Sequence, residues 1–174
     1  MEFLAAVIIV YAVILLVSLA IGIVGIVAMW KLYEKAGEPG WSAIVPVYNF
    51  MQMCKIAFGN YKMAWIYLII TAGYFVLSMT AGIMNVMSSG DSTILTLMTS
   101  LIGFVFTIAI SVIAAYVYYM FAKSYGKSTG FCILSIFFGA ITIIIMGFDN
   151  NTAYVGPMGI PQNNYYNGPN NYYR

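Results

Sequence analysis

Residues 63–90 read MAWIYLIITAGYFVLSMTAGIMNVMSSG and contain no charged side chain. About 20 apolar residues in a helix are enough to cross the ~30 Å hydrocarbon layer of a bilayer. This stretch therefore predicts a membrane-spanning helix. Three other uncharged apolar runs are long enough to do the same, at residues 3–30, 92–122 and 128–148. The sequence predicts four spans, all helical.

The composition of the whole chain agrees with a membrane protein. Hydrophobic residues make up 63% of the 174 residues and charged residues 7%, against roughly 45–50% and about 25% in soluble domains. The chain contains no histidine. Its net charge is +2 and it has no basic run, which argues against a nucleic-acid partner. The two cysteines and five acidic residues form no recognisable cluster, so we expect no catalytic, cofactor or metal site.

Lysines mark two of the three loops between the spans and predict their orientation. They are Lys31, Lys35, Lys55 and Lys62 before the second span, and Lys123 and Lys127 before the fourth. The loop between the second and third spans carries only Asp91. Because loops rich in lysine stay in the cytoplasm, the two lysine loops are predicted inside and both termini outside.

Small and hydroxyl side chains recur every three or four residues along the second and third spans. In a bilayer such residues allow helices to approach closely. The predicted packing seam consists of Ser78, Gly82 and Asn85 in the second span and Thr96, Ser100, Gly103, Thr107 and Ser111 in the third. A polar path for a solute is the alternative. We favour packing, because transport paths usually carry an ionisable group inside the membrane and none of these spans has one.

The segment 31–62 between the first two spans combines helix breakers with an amphipathic stretch. Gly37, Pro39 and Gly40 end the first helix, and residues 41–58 form an apolar run with a narrow polar stripe. This run suits an interfacial or re-entrant helix. The predicted fold is therefore an all-α, integral membrane four-helix bundle with an interfacial or re-entrant helix between helices 1 and 2.

This cytoplasmic side also offers a surface for anionic lipid or for a partner, with simple anchoring as the alternative. The candidate docking residues are Lys31, Lys35, Trp41, Lys55, Lys62, Lys123 and Lys127. Expected partners are membrane lipids, further copies of the chain, and other membrane proteins.

After the transmembrane domain, residues 1–148, the composition shifts to Asn, Tyr, Gly and Pro. This tail, residues 149–174, is predicted outside and repeats the sequence NNYY. It is either a flexible solvated tail or a self-association segment. In the second case the contacts would come from Tyr165, Tyr166, Tyr172 and Tyr173.

Three blocks of the sequence are similar to one family. They are residues 30–49 (WKLYEKAGEPGWSAIVPVYN), residues 121–131 (FAKSYGKSTGF), and GF at 147–148 followed by YVGP at 154–157. Together they resemble a family of small bacterial multi-pass membrane proteins known only as a domain of unknown function. The resemblance implies the bacterial cytoplasmic membrane and no particular activity.

Members of that family often carry the automatic label signal peptidase I. Such an enzyme needs a serine nucleophile and a lysine base within hydrogen-bond reach at the outer face. The outer serines, Ser88, Ser89 and Ser92, have no lysine on their side of the membrane. We therefore predict a non-enzymatic structural or scaffold protein that self-assembles in the membrane. An accessory subunit of a transporter or secretion complex is the alternative, and a membrane-embedded peptidase is a remote one.

Overall fold

The computed structural model describes residues 2–87 and 93–161. Its helices are α1 (Glu2–Lys35), α2 (Pro46–Phe58), α3 (Lys62–Met87), α4 (Thr93–Ser124), α5 (Thr129–Phe137) and α6 (Gly139–Phe148). Two short 3₁₀ turns, Gly40–Ala43 and Pro157–Gly159, complete the secondary structure of this part of the chain. The described residues contain no strand, and the all-α, bundle-like fold class is confirmed.

Three of these helices are long and apolar enough to cross a membrane. They are α1, α3 and α4, with apolar segments at Phe3–Lys35, Lys62–Met87 and Thr96–Ser124. Even the shortest, at 26 residues, is ~39 Å long and exceeds the ~30 Å hydrocarbon layer. These helices match the first three predicted spans. The first helix continues beyond the predicted end of its apolar run at Trp30 and stops at Lys35, shortly before Gly37, Pro39 and Gly40.

The predicted fourth span, residues 128–148, is not one helix. The backbone breaks at Phe138 (φ −125°, ψ 43°), which separates α5 from α6. Lys127 and Asp149, which flank the pair, lie 3.0 Å apart between Nζ and Oδ2. A straight helix would hold the Cα atoms of these two residues about 33 Å apart. The two helices therefore form a hairpin, and each, with 9 and 10 residues, is only about 15 Å long.

The hairpin folds back because its glycines allow close contact with two long helices. A Cβ on Gly139 would lie 2.8 Å from the ring of Tyr118 on α4, and one on Gly147 would lie 2.6 Å from the backbone oxygen of Ala28 on α1. Lysine side chains then bind the open end of the hairpin, as described below. Residues 128–148 are therefore apolar over the length of a transmembrane helix but do not form a single helix.

The buried core lies at the end of the bundle that carries the six lysines, which we call the lysine end. It is built from the last turns of α1, from α2, from the final turns of α4 and from the hairpin; its largest members include Leu32, Tyr33, Ile56, Val117, Phe121 and Met146. The most apolar part of each long helix, by contrast, has no buried residue. The molecule thus has a packed lysine end and an open opposite end.

Helix α2 forms part of that core. It begins at Pro46, later than the predicted start at residue 41, because Gly40–Ala43 forms a 3₁₀ turn. Its residues 52–54 and 56–58 are buried, including Gln52 of the predicted polar stripe, which is 1% exposed. Gln52 is therefore directed into the protein, while Asn49 and Lys55, the other residues of the stripe, are partly buried.

The segment after the hairpin returns to the lysine end. The backbone N–H of Val155 donates to the carbonyl of Ser124 at 2.9 Å, and the Tyr154 hydroxyl donates to the carbonyl of Ile56 at 3.0 Å. Glu2 begins α1 about 50 Å away along the helix axis. Residues 2 and 161, where the description of the chain begins and ends, thus lie toward opposite ends of the bundle. The four predicted self-association tyrosines lie outside the described residues.

Candidate functional site

Lys35 binds the carboxyl end of the hairpin. Its Nζ donates to three backbone carbonyls, those of Met146 at 3.2 Å, Gly147 at 3.4 Å and Asp149 at 2.8 Å. The last carbonyls of a helix have no partner within the helix and carry partial negative charge, so a cation there is stabilising. This lysine, predicted to dock a partner, instead joins α1 to α6.

Asp149 holds the two ends of the hairpin together. Its carboxylate accepts from Thr152 Oγ1 at 2.6 Å, from the backbone N–H of Asn151 at 2.9 Å and from Lys127 Nζ at 3.0 Å. The hydrogen bond from Thr152 contributes most, followed by those from Asn151 and Lys127, to holding the pKa of the Asp149 carboxyl well below its usual range. The carboxyl of Asp149 is therefore ionised at physiological pH.

Lys55, the third of the candidate docking lysines with an internal role, pairs with Glu38 at 2.7 Å. Burial lowers the pKa of Lys55, but the hydrogen bond and the charge of Glu38 outweigh it, so the pKa is raised overall. The pair joins α2 to the loop that follows α1. The structure thus uses Lys35, Lys55 and Lys127 inside the lysine end.

The other candidate docking residues face outward. Lys31, Lys62 and Lys123 are exposed, and Lys31 Nζ also lies 4.4 Å from the ring centre of Phe148. Trp41 is 51% exposed and stacks on Tyr48 with ring centres 5.2 Å apart. These four residues are the part of the predicted set that could meet a lipid or another protein.

The predicted packing seam lines a cleft of about 510 Å³ between α3 and α4. Its seam residues are Ser78, Gly82, Asn85, Ser100, Gly103 and Thr107. Thr96 Oγ1 donates to Asn85 Oδ1 at 3.1 Å, which places these two residues at the same level of the bundle. Ser111 lies apart from them, in a second, mostly apolar cleft of about 550 Å³ beside the hairpin tip.

Hydroxyls of the cleft are bonded within their own helices. Ser78 donates to the carbonyl of Phe75 at 2.8 Å, Ser100 to that of Thr96 at 2.7 Å, and Thr107 to that of Gly103 at 2.9 Å. A hydroxyl satisfied in this way costs little in an apolar environment. The cleft wall is therefore polar in composition but compatible with contact by another helix.

A buried polar group at the lysine end was missed by the sequence reasoning. The hydroxyl of Tyr33, a fully buried residue, donates to the carbonyl of Asn49 at 2.9 Å and also contacts its side chain. Gln52 Nε2 donates to the Tyr48 hydroxyl at 3.1 Å, while its Oε1 is buried without a partner. The regular spacing of Asn49 and Gln52 was the available signal, but it does not say which way the stripe faces.

The chemistry available to these residues is limited. Burial raises the pKa of the Cys54 thiol to about 12, so it is not a ready nucleophile. Within residues 2–87 and 93–161, no group of three His, Cys, Asp or Glu side chains could hold a metal ion. The serines considered for a peptidase, Ser88, Ser89 and Ser92, lie outside the described residues.

Long apolar helices, a core confined to the lysine end and hydroxyl-lined helix surfaces define a membrane protein of the all-helical class. The chain belongs to a family of unknown function (DUF5684), whose sequence profile matches residues 41–157. That range runs from the 3₁₀ turn before α2 to the segment that returns to the lysine end. No curated protein and no solved structure matches the chain.

Proposed function

We propose that this protein is a non-enzymatic, multi-pass structural component of the bacterial membrane that assembles with copies of itself. The observation that carries the proposal is the open cleft between α3 and α4, which lies away from the packed lysine end. Its wall combines glycines with hydroxyls, the residue types that helices use to pack against each other in a bilayer.

A second copy fits this cleft better than a solute. The residues that line it include no ionisable side chain except Tyr74, whereas solute paths usually carry charged groups. Acyl chains gain nothing from hydroxyls, but helices with small residues gain close contact. Two copies related by a twofold axis along the membrane normal would bring their α3–α4 clefts face to face, with equivalent residues at equal depth.

Disulfide cross-linking in native membranes tests this dimer. The two buried native cysteines, Cys54 and Cys132, are first replaced by alanine. A Ser100→Cys variant in the cleft wall is expected to form a disulfide-linked dimer on mild oxidation. The matched control is Ile102→Cys, since this exposed residue is turned about 200° away on the same helix and is expected to stay monomeric.

Equal cross-linking of the two variants, or none in either while native mass spectrometry shows a monomer, would contradict the proposal. A different protein recovered on Ser100→Cys alone would instead support the accessory-subunit alternative. Deletion of residues 162–174 distinguishes the cleft from the tail, because cleft contacts are expected to survive it.

The proposed membrane topology has three crossings and a re-entrant hairpin. The lysine end carries six lysines against Glu34, Glu38 and Asp149, whereas Glu2 lies at the other end. By the positive-inside rule the lysine end is cytoplasmic. Residues 149–161 are then cytoplasmic too, and the N-terminus is outside.

Labelling of intact cells with a membrane-impermeant maleimide tests this topology in the cysteine-free background. Asp91→Cys is expected to react in intact cells, because its loop joins α3 to α4 at the outer face. Asn151→Cys, in an exposed position, is expected to react only after the cells are permeabilised. Reaction of both in intact cells would restore the four-crossing arrangement with an external tail.

A further inference from the structure

We propose that the 3₁₀ turn Gly40–Ala43 and the residues up to Val47 form an insertion surface for anionic phospholipids of the leaflet at the lysine end. The surface consists of Trp41, Ile44, Val45 and Val47, and we call it the anchor patch. The proposal is independent of self-assembly through the α3–α4 cleft, since the two surfaces share no residue.

The anchor patch is apolar and turned outward while its neighbours are held inside. Trp41 is 51% exposed, Ile44 58%, Val45 44% and Val47 56%. Ser42 and Ala43, between them, are buried, and the Ser42 hydroxyl donates to the carbonyl of Pro39. The packing therefore fixes which side of this segment faces away from the protein.

The position of the anchor patch along α1 sets its depth in the membrane. Gly40 packs directly on the indole of Trp30, where an added Cβ would lie 2.3 Å from Nε1. Trp30 is the last residue of the uncharged run of α1, and Lys31 follows it. The boundary between hydrocarbon and headgroups therefore falls at Trp30. Because Trp41 follows Gly40, the patch lies at this boundary, where amphipathic aromatic rings are favoured.

Charge favours an anionic lipid as the occupant. At the lysine end, the charges of Glu38 and Asp149 are paired with Lys55 and Lys127, whereas the exposed Glu34 accepts from the Trp30 indole at 2.7 Å and keeps its negative charge. Lys31, Lys62 and Lys123 are also exposed at this end, so exposed lysines outnumber the exposed carboxylate of Glu34 three to one. A positively charged rim around an apolar patch at headgroup depth complements acyl chains below anionic headgroups.

Fluorescence quenching in lipid nanodiscs tests the anchor patch. A Trp30→Phe, Trp65→Phe variant leaves Trp41 as the only tryptophan of the three in the chain. We expect phosphatidylglycerol brominated near the headgroup to quench its emission strongly. Phosphatidylcholine brominated at the same position is expected to quench it less. We expect aqueous iodide to quench it weakly.

The lysine contribution has its own control. Replacing Lys31, Lys62 and Lys123 by glutamine is expected to make the two brominated lipids equally effective, since each lysine near a charged surface changes lipid affinity about fivefold. Equal quenching before the replacement would overturn the preference for anionic lipid. Strong iodide quenching without lipid quenching would overturn insertion altogether and leave the patch as a surface for a soluble protein.

A second measurement avoids the loss of Trp30, which packs on Gly40. In the cysteine-free background all three tryptophans are kept, and Ile44→Cys carries an environment-sensitive bimane. Its emission is expected to shift to the blue in nanodiscs relative to Asn151→Cys, the exposed reference position. The same emission at both positions would contradict insertion even if the tryptophan variant failed to fold.

Discussion

Replacing Phe121 by alanine is expected to cost about 3–5 kcal/mol of unfolding free energy, the range for removing a large aromatic side chain from a packed core. Phe121 is 1% exposed. Its ring meets that of Tyr33 on α1 edge to face at 6.4 Å and that of Tyr125 at 5.2 Å. Because this ring lies between α1 and α4, its loss opens a cavity where the core is most concentrated.

The control for this prediction is Phe75→Ala, on α3, which is 60% exposed and lies outside the α3–α4 cleft. In a membrane that side chain faces lipid or a partner, so its loss is expected to change stability much less. Thermal unfolding of both variants in the same detergent, followed by loss of the monodisperse species, measures the difference. Equal melting temperatures would mean that Phe121 does not contribute to the core as described.

Replacing Gly147 by leucine is expected to detach the hairpin from α1. An added Cβ would lie 2.6 Å from the carbonyl oxygen of Ala28 and 2.7 Å from its Cα, and backbone atoms cannot move aside as a flexible side chain can. Overpacking of this kind costs about 1–3 kcal/mol. The displacement of α6 would also lengthen the three hydrogen bonds from Lys35.

The matched control is Gly73→Leu in α3, because a Cβ there meets nothing within 4 Å among the described residues. That substitution is expected to be neutral or slightly stabilising, since glycine is about 1 kcal/mol worse than alanine in a helix interior. Limited proteolysis after Lys127 offers a local readout. Wild-type cleavage rates in Gly147→Leu would show that the hairpin keeps its place without this contact.

The three long helices could be predicted because hydropathy records their length directly. An uncharged apolar run of more than about 20 residues is rare in soluble proteins and indicates a transmembrane helix. Charged residues such as Lys62 mark the ends of these runs. The lysine loops could be located in the same way. Each of these features depends on residues that are close together in the sequence.

The hairpin could not be predicted from the same signals. Residues 128–148 have the length and composition of a span, and the break at Phe138 involves neither proline nor charge. What folds the segment back is its contacts with distant residues, such as Tyr118 and Ala28. Hydropathy within a window contains no information on these contacts.

The roles of the lysines were also beyond a local reading. Lys35, Lys55 and Lys127 resemble Lys31, Lys62 and Lys123 in sequence, yet the first three bind within the protein. The groups that they bind lie at the end of the hairpin, at Asp149 or in the loop before α2, and all are distant in sequence from the lysine that binds them. That Trp41 docks to lipid or to a partner stays a prediction, and its 51% exposure is compatible with that role.

The half-length hairpin gives the molecule unequal cross-sections in the two leaflets. At the lysine end the protein is as wide as α1, α2, α3, α4 and the hairpin together, whereas at the other end the described residues form the three helices α1, α3 and α4. In a bilayer this shape is a wedge. A wedge fits a bilayer best where the leaflet at its broad end is convex. The shape of the protein is therefore expected to favour curved membrane.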